Sequence, residues 1–392
     1  MKQGRNQKPS RKSQNITSFI VMDVMEAAKK LEAKGRDIVN LELGEPDFET
    51  PRVAREAGIK AIREGKTRYT HSQGTIELRE AICDHYKKEY RVKVEPERII
   101  VTNGSSAALF IAFAALLDSG DEVVMANPHY ACYPNYVKFL GGKPVYVMLS
   151  EKEGFQLPVA RVKRKITKRT KAVLINSPSN PTGVVLKPDA MEKIAALGKT
   201  SGNIIVSDEI YHGLTYGVKA RSILEYTDDA IVVNGFSKRF AMTGWRVGYV
   251  IAPQRLVRPM QKVQQNFHIS AAHMAQEAAL AALTKGKKDA ERMRKEFDKR
   301  RKVMLEGLRK IGFKVKAAPH GAFYFLVSCA FLDKNSLRLT MRILEEANVA
   351  VTPGVDFGSG GEGFLRFTYA TSLPRIREGL KRLGKFIDKE KG

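Results

Sequence analysis

The sequence predicts an α/β protein whose larger part is a mostly parallel sheet of seven strands, covered by helices on both faces. Three observations carry this. Seven short runs rich in Val and Ile (RIIVT, EVVMANP, PVYVML, AVLINSP, NIIVSDE, AIVVNGF and GYVIAP) follow one another from about residue 98. The runs are apolar almost throughout instead of alternating, as strands buried on both faces are. Helical or loop-like stretches such as MEKIAALGKT separate several of them, which is the pattern of crossover connections.

The flanks read differently. Residues 15–47 and about 290–392 carry charged amphipathic helices, among them ERMRKEFDKRRKVMLEGLRKI and NSLRLTMRILEEANV, with fewer strands. The two chain ends are therefore expected to build a smaller α/β domain together, leaving 48–289 as the large domain. Residues 1–14 are polar and basic, with no hydrophobic stretch; they read as a short disordered leader and not as a secretory signal. The longest uncharged apolar run, AALFIAFAALL, is too short to span a bilayer. Cys83, Cys132 and Cys329 are widely spaced, with no CxxC pair. That argues against a disulfide framework and a cysteine zinc site, and fits a reducing cytoplasm.

A formal net charge of +25 would ordinarily point to nucleic acid. The densest basic run, RVKRKITKRTK at 161–171, has no aromatic residue for base stacking and leads into an apolar strand. The run ERMRKEFDKRRK is interleaved with acids, as a solvated helix face is. No specific nucleic-acid partner is expected.

In an open parallel sheet, ligands bind beyond the carboxyl ends of the strands. Five strands here deliver polar residues to that edge: Ser105 and Ser106, Tyr130, Asn180, Asp208 with Tyr211, and Lys238. NGSSAAL opens a helix with small residues, so free N–H groups and hydroxyls would form a cup for phosphate. Asp208 ends an apolar strand, where an ionised carboxylate needs a cation; taken singly, a structural ion pair would explain it as well. Asn180 opens NPTG, a good turn sequence in its own right. Arg246, within WRVGY, reads as the partner of a partly buried anion. GSGGEG at 358–363 fits GxGxxG, but the strand-like FLRFTYA follows it where a dinucleotide site needs a helix. These glycines read as a flexible loop leading to Arg366.

Taken together, LELGEPDFETP, RYTHSQGTIELREAI, NSPSNPTG, SDEIYHGL, SKRFAMTGWRVGY and FLRFTYA resemble, in order and spacing, the class I/II aminotransferases. These are pyridoxal-phosphate enzymes of fold type I, and the resemblance covers nearly the whole chain after the leader. It implies that Lys238 forms the Schiff base with the cofactor aldehyde and that Asp208 partners the pyridine nitrogen. Asn180 and Tyr211 would bond the phenolic oxygen, and Tyr130 would stack on the ring. Ser105, Ser106, Ser237 and Arg246 match phosphate positions, with Tyr69 reaching the phosphate from a neighbouring subunit. Arg366 and Gly44 match the substrate carboxylate site. Gly235 stands where many relatives have a phosphate-binding serine. Ser106 stands where some bacterial aspartate aminotransferases carry a lysine.

The activity implied is ping-pong transfer of an α-amino group from an L-amino acid (aspartate, alanine, aromatic or a broad range) to a 2-oxo acid such as 2-oxoglutarate, in a homodimer with shared sites. No metal is implied. A β-eliminating C–S lyase on the same scaffold is the alternative, and a non-enzymatic basic regulator or nucleic-acid binder a weaker one. Side-chain selection falls to His129, Tyr133, Tyr324 and residues 16–20 as candidate lining.

Overall fold

A computed structural model describes residues 8–316 and 318–391. Of the leader expected to be disordered, residues 1–7 lie outside the described residues and Arg11–Gln14 form one exposed helical turn. Strand β1 (Val39–Asn40) comes first. Then follow β2 (Ile99–Thr102), β3 (Glu122–Asn127), β4 (Lys143–Met148), β5 (Thr170–Asn176), β6 (Ile204–Asp208), β7 (Ala230–Gly235) and β8 (Gly248–Ile251). Four more complete the set: β9 (Tyr324–Ser328), β10 (Val349–Ala350), β11 (Thr352–Pro353) and β12 (Phe364–Thr368).

Strands β2 to β8 are the seven apolar runs, and they form one sheet in the order β2-β8-β7-β6-β5-β3-β4. All are parallel except β8, which runs antiparallel to both of its neighbours. The reason for continuous apolar strands is visible in the packing. Val101, Val124, Val173, Ile205 and Val232 face one core with helices such as Ile76–Tyr90 and Pro188–Ser201. Their sequence neighbours Ile100, Val123, Leu174, Val206 and Ile231 face a second core under the helix Ser105–Leu116. Both faces are dry, so no strand position is left for a polar side chain except at the ends.

The antiparallel β8 has a consequence for the site. Its first residue, Gly248, pairs with Thr102 and with Gly235, the last residues of β2 and β7. The residue just before β8 thus arrives at the edge where parallel strands end. A Cβ at Gly248 would lie 2.8 Å from both the Gly104 carbonyl carbon and the Ser105 nitrogen. Glycine there lets the start of the helix Ser105–Leu116 close onto the strand.

The chain ends meet. β1 pairs in parallel with β10, Val39 opposite Val349, and β11-β12-β9 form an antiparallel sheet. The helix Ile20–Glu32 has no side-chain cap of its own at Phe19. Asp356 supplies it from the far end of the chain, accepting from the Ile20 amide at 2.9 Å and the Val21 amide at 3.3 Å. The glycines expected to be a flexible loop are instead close-packed. Residues 354–361 wind through two short 3-10 turns, and the Gly360 amide donates to the Asn127 side chain at 2.9 Å. A Cβ at Gly354 or Gly361 would collide with the backbone of the other.

Asp356→Ala removes two acceptors from buried amides at a helix start. It should destabilise the fold by about 1–2 kcal/mol in denaturant melts, the usual cost of a lost cap. Asp356→Asn should retain part of that stability. A wild-type midpoint for the alanine variant would show that the cap contributes nothing.

Candidate active site

At the carboxyl edge of the seven-stranded sheet lies a cavity of about 290 Å³. Five of the strands deliver residues to it from their carboxyl ends. Ser105 and Ser106 follow β2, Tyr130 follows β3, Asn176 and Asn180 come at and after the end of β5, Asp208 ends β6, and Ser237 and Lys238 follow β7. Arg246 precedes β8 and reaches the same edge because that strand runs backwards. Gly44 and Arg366 close the cavity from the terminal segments, with Phe19 and Tyr324.

One end of the cavity is built for an anion. The helix Ser105–Leu116 has Gly104 at its cap position and no capping side chain, so its first N–H groups are not met by a cap. A Cβ on Gly104 would stand 2.5 Å from an Arg246 nitrogen, so the guanidinium lies directly over this turn. The arginine read from the sequence as the partner of a partly buried anion is itself exposed in the single chain. Its Nη1 donates to the Thr243 carbonyl at 2.9 Å, and it pairs with no carboxylate among the described residues. Serine hydroxyls, helix dipole and an unpaired arginine together suit a phosphate.

Opposite them, the buried Asp208 accepts from the Tyr133 hydroxyl at 2.7 Å and from the Ile210 amide at 3.1 Å. Burial pushes its carboxyl up to about 6, with those two donors pulling the other way. It remains mostly ionised at neutral pH and so can meet a protonated ring nitrogen. Lys238 donates to the Gly44 carbonyl at 2.7 Å. Burial, with Arg366 and Arg246 acting in the same direction, pushes its ammonium down to about 8 against the pull of Glu45 and Asp208. A usable fraction is neutral amine near physiological pH.

Arg366, on β12, is buried beneath the third wall. It donates to the Asn180 side chain at 3.0 Å, to Thr352 Oγ1 at 3.1 Å and to the Glu42 carbonyl. Its buried Nε has no partner among the described residues. Rings on two sides hold the guanidinium, Tyr324 at 4.4 Å and Phe357 at 4.9 Å. A fixed arginine with an unspent N–H group at a cavity wall suits a carboxylate.

Every site residue named from the sequence lines this cavity except Tyr69, whose side chain points to solvent with 80% exposure. Gly235 lies outside the lining; a Cβ there would come within 3.0 Å of the Gly248 Cα, so strand packing demands glycine. Of the side-chain candidates, Phe19, Tyr133 and Tyr324 line the cavity, whereas His129 faces a small apolar void behind it. Tyr133 is already spent on Asp208. Sequence reasoning missed Asn176, Glu45 and Thr243. Asn176 is the last residue of β5 and was open to the same strand-end rule.

These features define a site for a phosphate-bearing aldehyde cofactor and a carboxylate substrate. A family model for aminotransferases of class I and II matches residues 36–383. The chain belongs to that family and is a pyridoxal-phosphate-dependent aminotransferase. It is 41% identical to a (5-formylfuran-3-yl)methyl phosphate transaminase of Methanocaldococcus jannaschii, over 97% of this chain and all of the other. It is 42% identical to a probable aspartate/prephenate aminotransferase of Aquifex aeolicus, over 92% of this chain and 94% of the other. Among solved structures it resembles the aspartate aminotransferase of Thermus thermophilus with maleate. There the TM-score is 0.93 and the identity 40%, over 97% of this chain and 99% of that one. Of the basic runs, the one at 291–302 is mostly paired with acids, as in Arg301 with Asp298. In 161–171, Arg161, Arg169 and Lys171 reach acids, whereas Lys163, Arg164, Lys165 and Lys168 form no ion pair among the described residues.

Borohydride trapping of pyridoxal phosphate on Lys238 should gain rate with a midpoint near pH 8, because burial lowers this amine from the ordinary 10.5. Peptide mapping by mass spectrometry locates the label. A midpoint near the ordinary value would show that the amine is not depressed.

Proposed function

We propose that the chain moves the α-amino group of an L-amino acid to a 2-oxo acid such as 2-oxoglutarate by a ping-pong mechanism, with Lys238 as the catalytic amine. One observation carries the reading: a depressed amine stands on the wall between the buried carboxylate of Asp208 and the buried, ring-clamped Arg366. Pyridoxal phosphate, when bound, supplies an aldehyde carbon that takes up an amino group and a ring that accepts the electron pair left as Cα loses its proton.

The protein's own groups do the rest. Lys238 holds the cofactor through its amine. Once displaced by substrate, the same amine carries the proton between Cα and the cofactor's C4′ carbon. Asp208 keeps the ring nitrogen protonated, and Tyr133 keeps Asp208 aimed. Asn180 and Tyr211 bond the phenolic oxygen; burial holds the Tyr211 phenol well above its ordinary range, so it stays a donor. Ser105, Ser106, Ser237 and Arg246 would hold the phosphate, and Tyr130 would supply an aromatic surface for the ring. Arg366 and the Gly44 backbone orient the α-carboxylate. Residues 48–289 would form the cofactor-binding unit, and 15–47 with 290–392 the smaller one, a division favoured by the β1–β10 pairing.

Phe19, Val21 and Leu109 make the free part of the lining apolar. Lys238, Arg246 and Arg366, the lining cations of this chain, already have tasks. This favours a bulky apolar or aromatic donor side chain over a second carboxylate, with aspartate and prephenate, named for relatives, as the comparison. Phenylalanine, tyrosine, leucine, alanine and aspartate offered with 2-oxoglutarate should give glutamate fastest from the aromatic donors. Turnover confined to aspartate would overturn this choice. Arg366→Lys keeps the charge and loses the fork. It should weaken substrate binding by about 1–3 kcal/mol while cofactor stays bound.

We also place the enzyme in the reducing cytoplasm, consistent with three free cysteines. No helix among the described residues is long and apolar enough to cross a membrane. An exposed tyrosine ring needs a use, and Tyr69 has one if a second copy presents its phosphate cup there. Light scattering should give about twice the chain mass of 43.8 kDa. Mixing inactive Lys238→Ala with Tyr69→Phe subunits should restore activity in hybrids; full activity in a monomer would sink the shared site.

A further inference from the structure

Tyr324, read from the sequence only as a lining candidate, touches three of the groups given roles above. It opens β9 opposite Thr368 of β12, so Arg366, two residues back on β12, is its diagonal neighbour on the same face. The Arg366 guanidinium lies over its ring at 4.4 Å. Its hydroxyl is 2.8 Å from that of Tyr211. A Cβ at Gly44 would fall on the same hydroxyl, and the Gly44 carbonyl is the acceptor for Lys238. The side chain is 1% exposed.

The hydrogen inventory fixes the direction of the phenol pair. Burial raises both phenols, so each carries one hydrogen. If Tyr211 spends its hydrogen on the cofactor's phenolic oxygen, as proposed above, it can only accept in the bond to Tyr324. Tyr324 must then be the donor. A donor placed behind Tyr211 polarises its O–H and strengthens the bond it makes in front.

We propose that Tyr324 is a positioning residue that joins the two halves of the site, its ring clamping Arg366 for the carboxylate and its hydroxyl backing Tyr211 for the cofactor oxygen. The inference rests on the role given to Tyr211. The two parts of the side chain act on different observables, and two substitutions separate them. Tyr324→Phe keeps the ring and removes the donor; Tyr324→Leu removes both. The charged and titratable groups that share this wall (Arg366, Lys238, Glu45, Asp208, Tyr130 and Tyr133) are unchanged in either.

The holoenzyme gives both readouts without turnover. The visible absorption of the bound cofactor changes with pH. A weaker hydrogen bond to its phenolic oxygen disfavours the deprotonated form, so the midpoint must rise. For Tyr324→Phe it should rise by about 0.5–1 pH unit, the equivalent of one hydrogen bond. Binding of 3-phenylpropanoate, a carboxylate without an amine, should stay within about twofold of the parent by calorimetry, since the stack persists. Tyr324→Leu should show the same rise and bind the probe roughly 3- to 30-fold more weakly. Circular dichroism checks that each variant is folded.

An unmoved midpoint in Tyr324→Phe overturns the donor assignment. Parent-like probe affinity in a folded Tyr324→Leu overturns the clamp. A parent that develops no visible band with pyridoxal phosphate overturns the Lys238 assignment itself, a failure distinct from the other two.

Discussion

An excess of positive charge governs this site, running from a buried Arg366 through a half-buried Lys238 to an exposed Arg246. Lys238, Arg246 and Arg366 border one cavity, and the carboxylates on its wall are Asp208 and Glu45. Asp208 is turned toward Tyr133 and the Ile210 amide, while Glu45 is exposed and bonded by Thr243. Neither carboxylate forms an ion pair with a cavity cation. Positive charge held away from water must be compensated or suppressed. Lys238 responds by losing its proton more easily, which creates the neutral amine the chemistry needs. Arg366 cannot deprotonate, so its buried charge suits an anion from outside, and the exposed, unpaired Arg246 suits a second anion at the other end. The same imbalance thus specifies the nucleophile, the cofactor and the substrate class.

The sheet explains why these charges are where they are. Seven dry strands leave only their ends for polar atoms, and parallel strands put those ends at one edge. That is why Ser105, Tyr130, Asn180, Asp208 and Lys238 could be assembled from the sequence with no coordinates. The rule is one-dimensional and reads along the chain. Arg246 is read instead from its WRVGY surroundings, and the antiparallel course of β8 is the reason it arrives at that edge. Its exposure was not legible, since that depends on how the turn before β8 lies over Gly104.

What the sequence hid is contact between distant segments. Tyr133 reads as another aromatic after a strand, and its bond to Asp208 spans 75 positions. Gly44 is placed only by resemblance, at the carboxylate site; it is glycine because a Tyr324 hydroxyl occupies the space of its missing Cβ. The glycines after residue 353 read as a loose loop. They are required because two backbone turns touch there and fasten to Asn127. In each case composition gave the local permission, and the reason lay in a contact 75 or more residues away or in a collision that no periodicity records.

The cavity's third wall depends on both chain ends being in place at once. Phe19 precedes a helix whose first amides are held by Asp356, and Gly44 lies a few residues after β1, which pairs with β10. Arg366 in turn binds the Glu42 carbonyl, the Asn180 side chain and Thr352, joining N-terminal segment, sheet edge and C-terminal strand in one hydrogen-bond set. The cofactor end, by contrast, is drawn almost wholly from the seven-stranded sheet and its turns. On the roles proposed for these residues, recognition of substrate requires the terminal segments to be docked, whereas recognition of cofactor does not. A site divided in this way can keep its cofactor through a full cycle while one wall relaxes to exchange an amino acid for an oxo acid, which a two-step transfer through a single cavity demands.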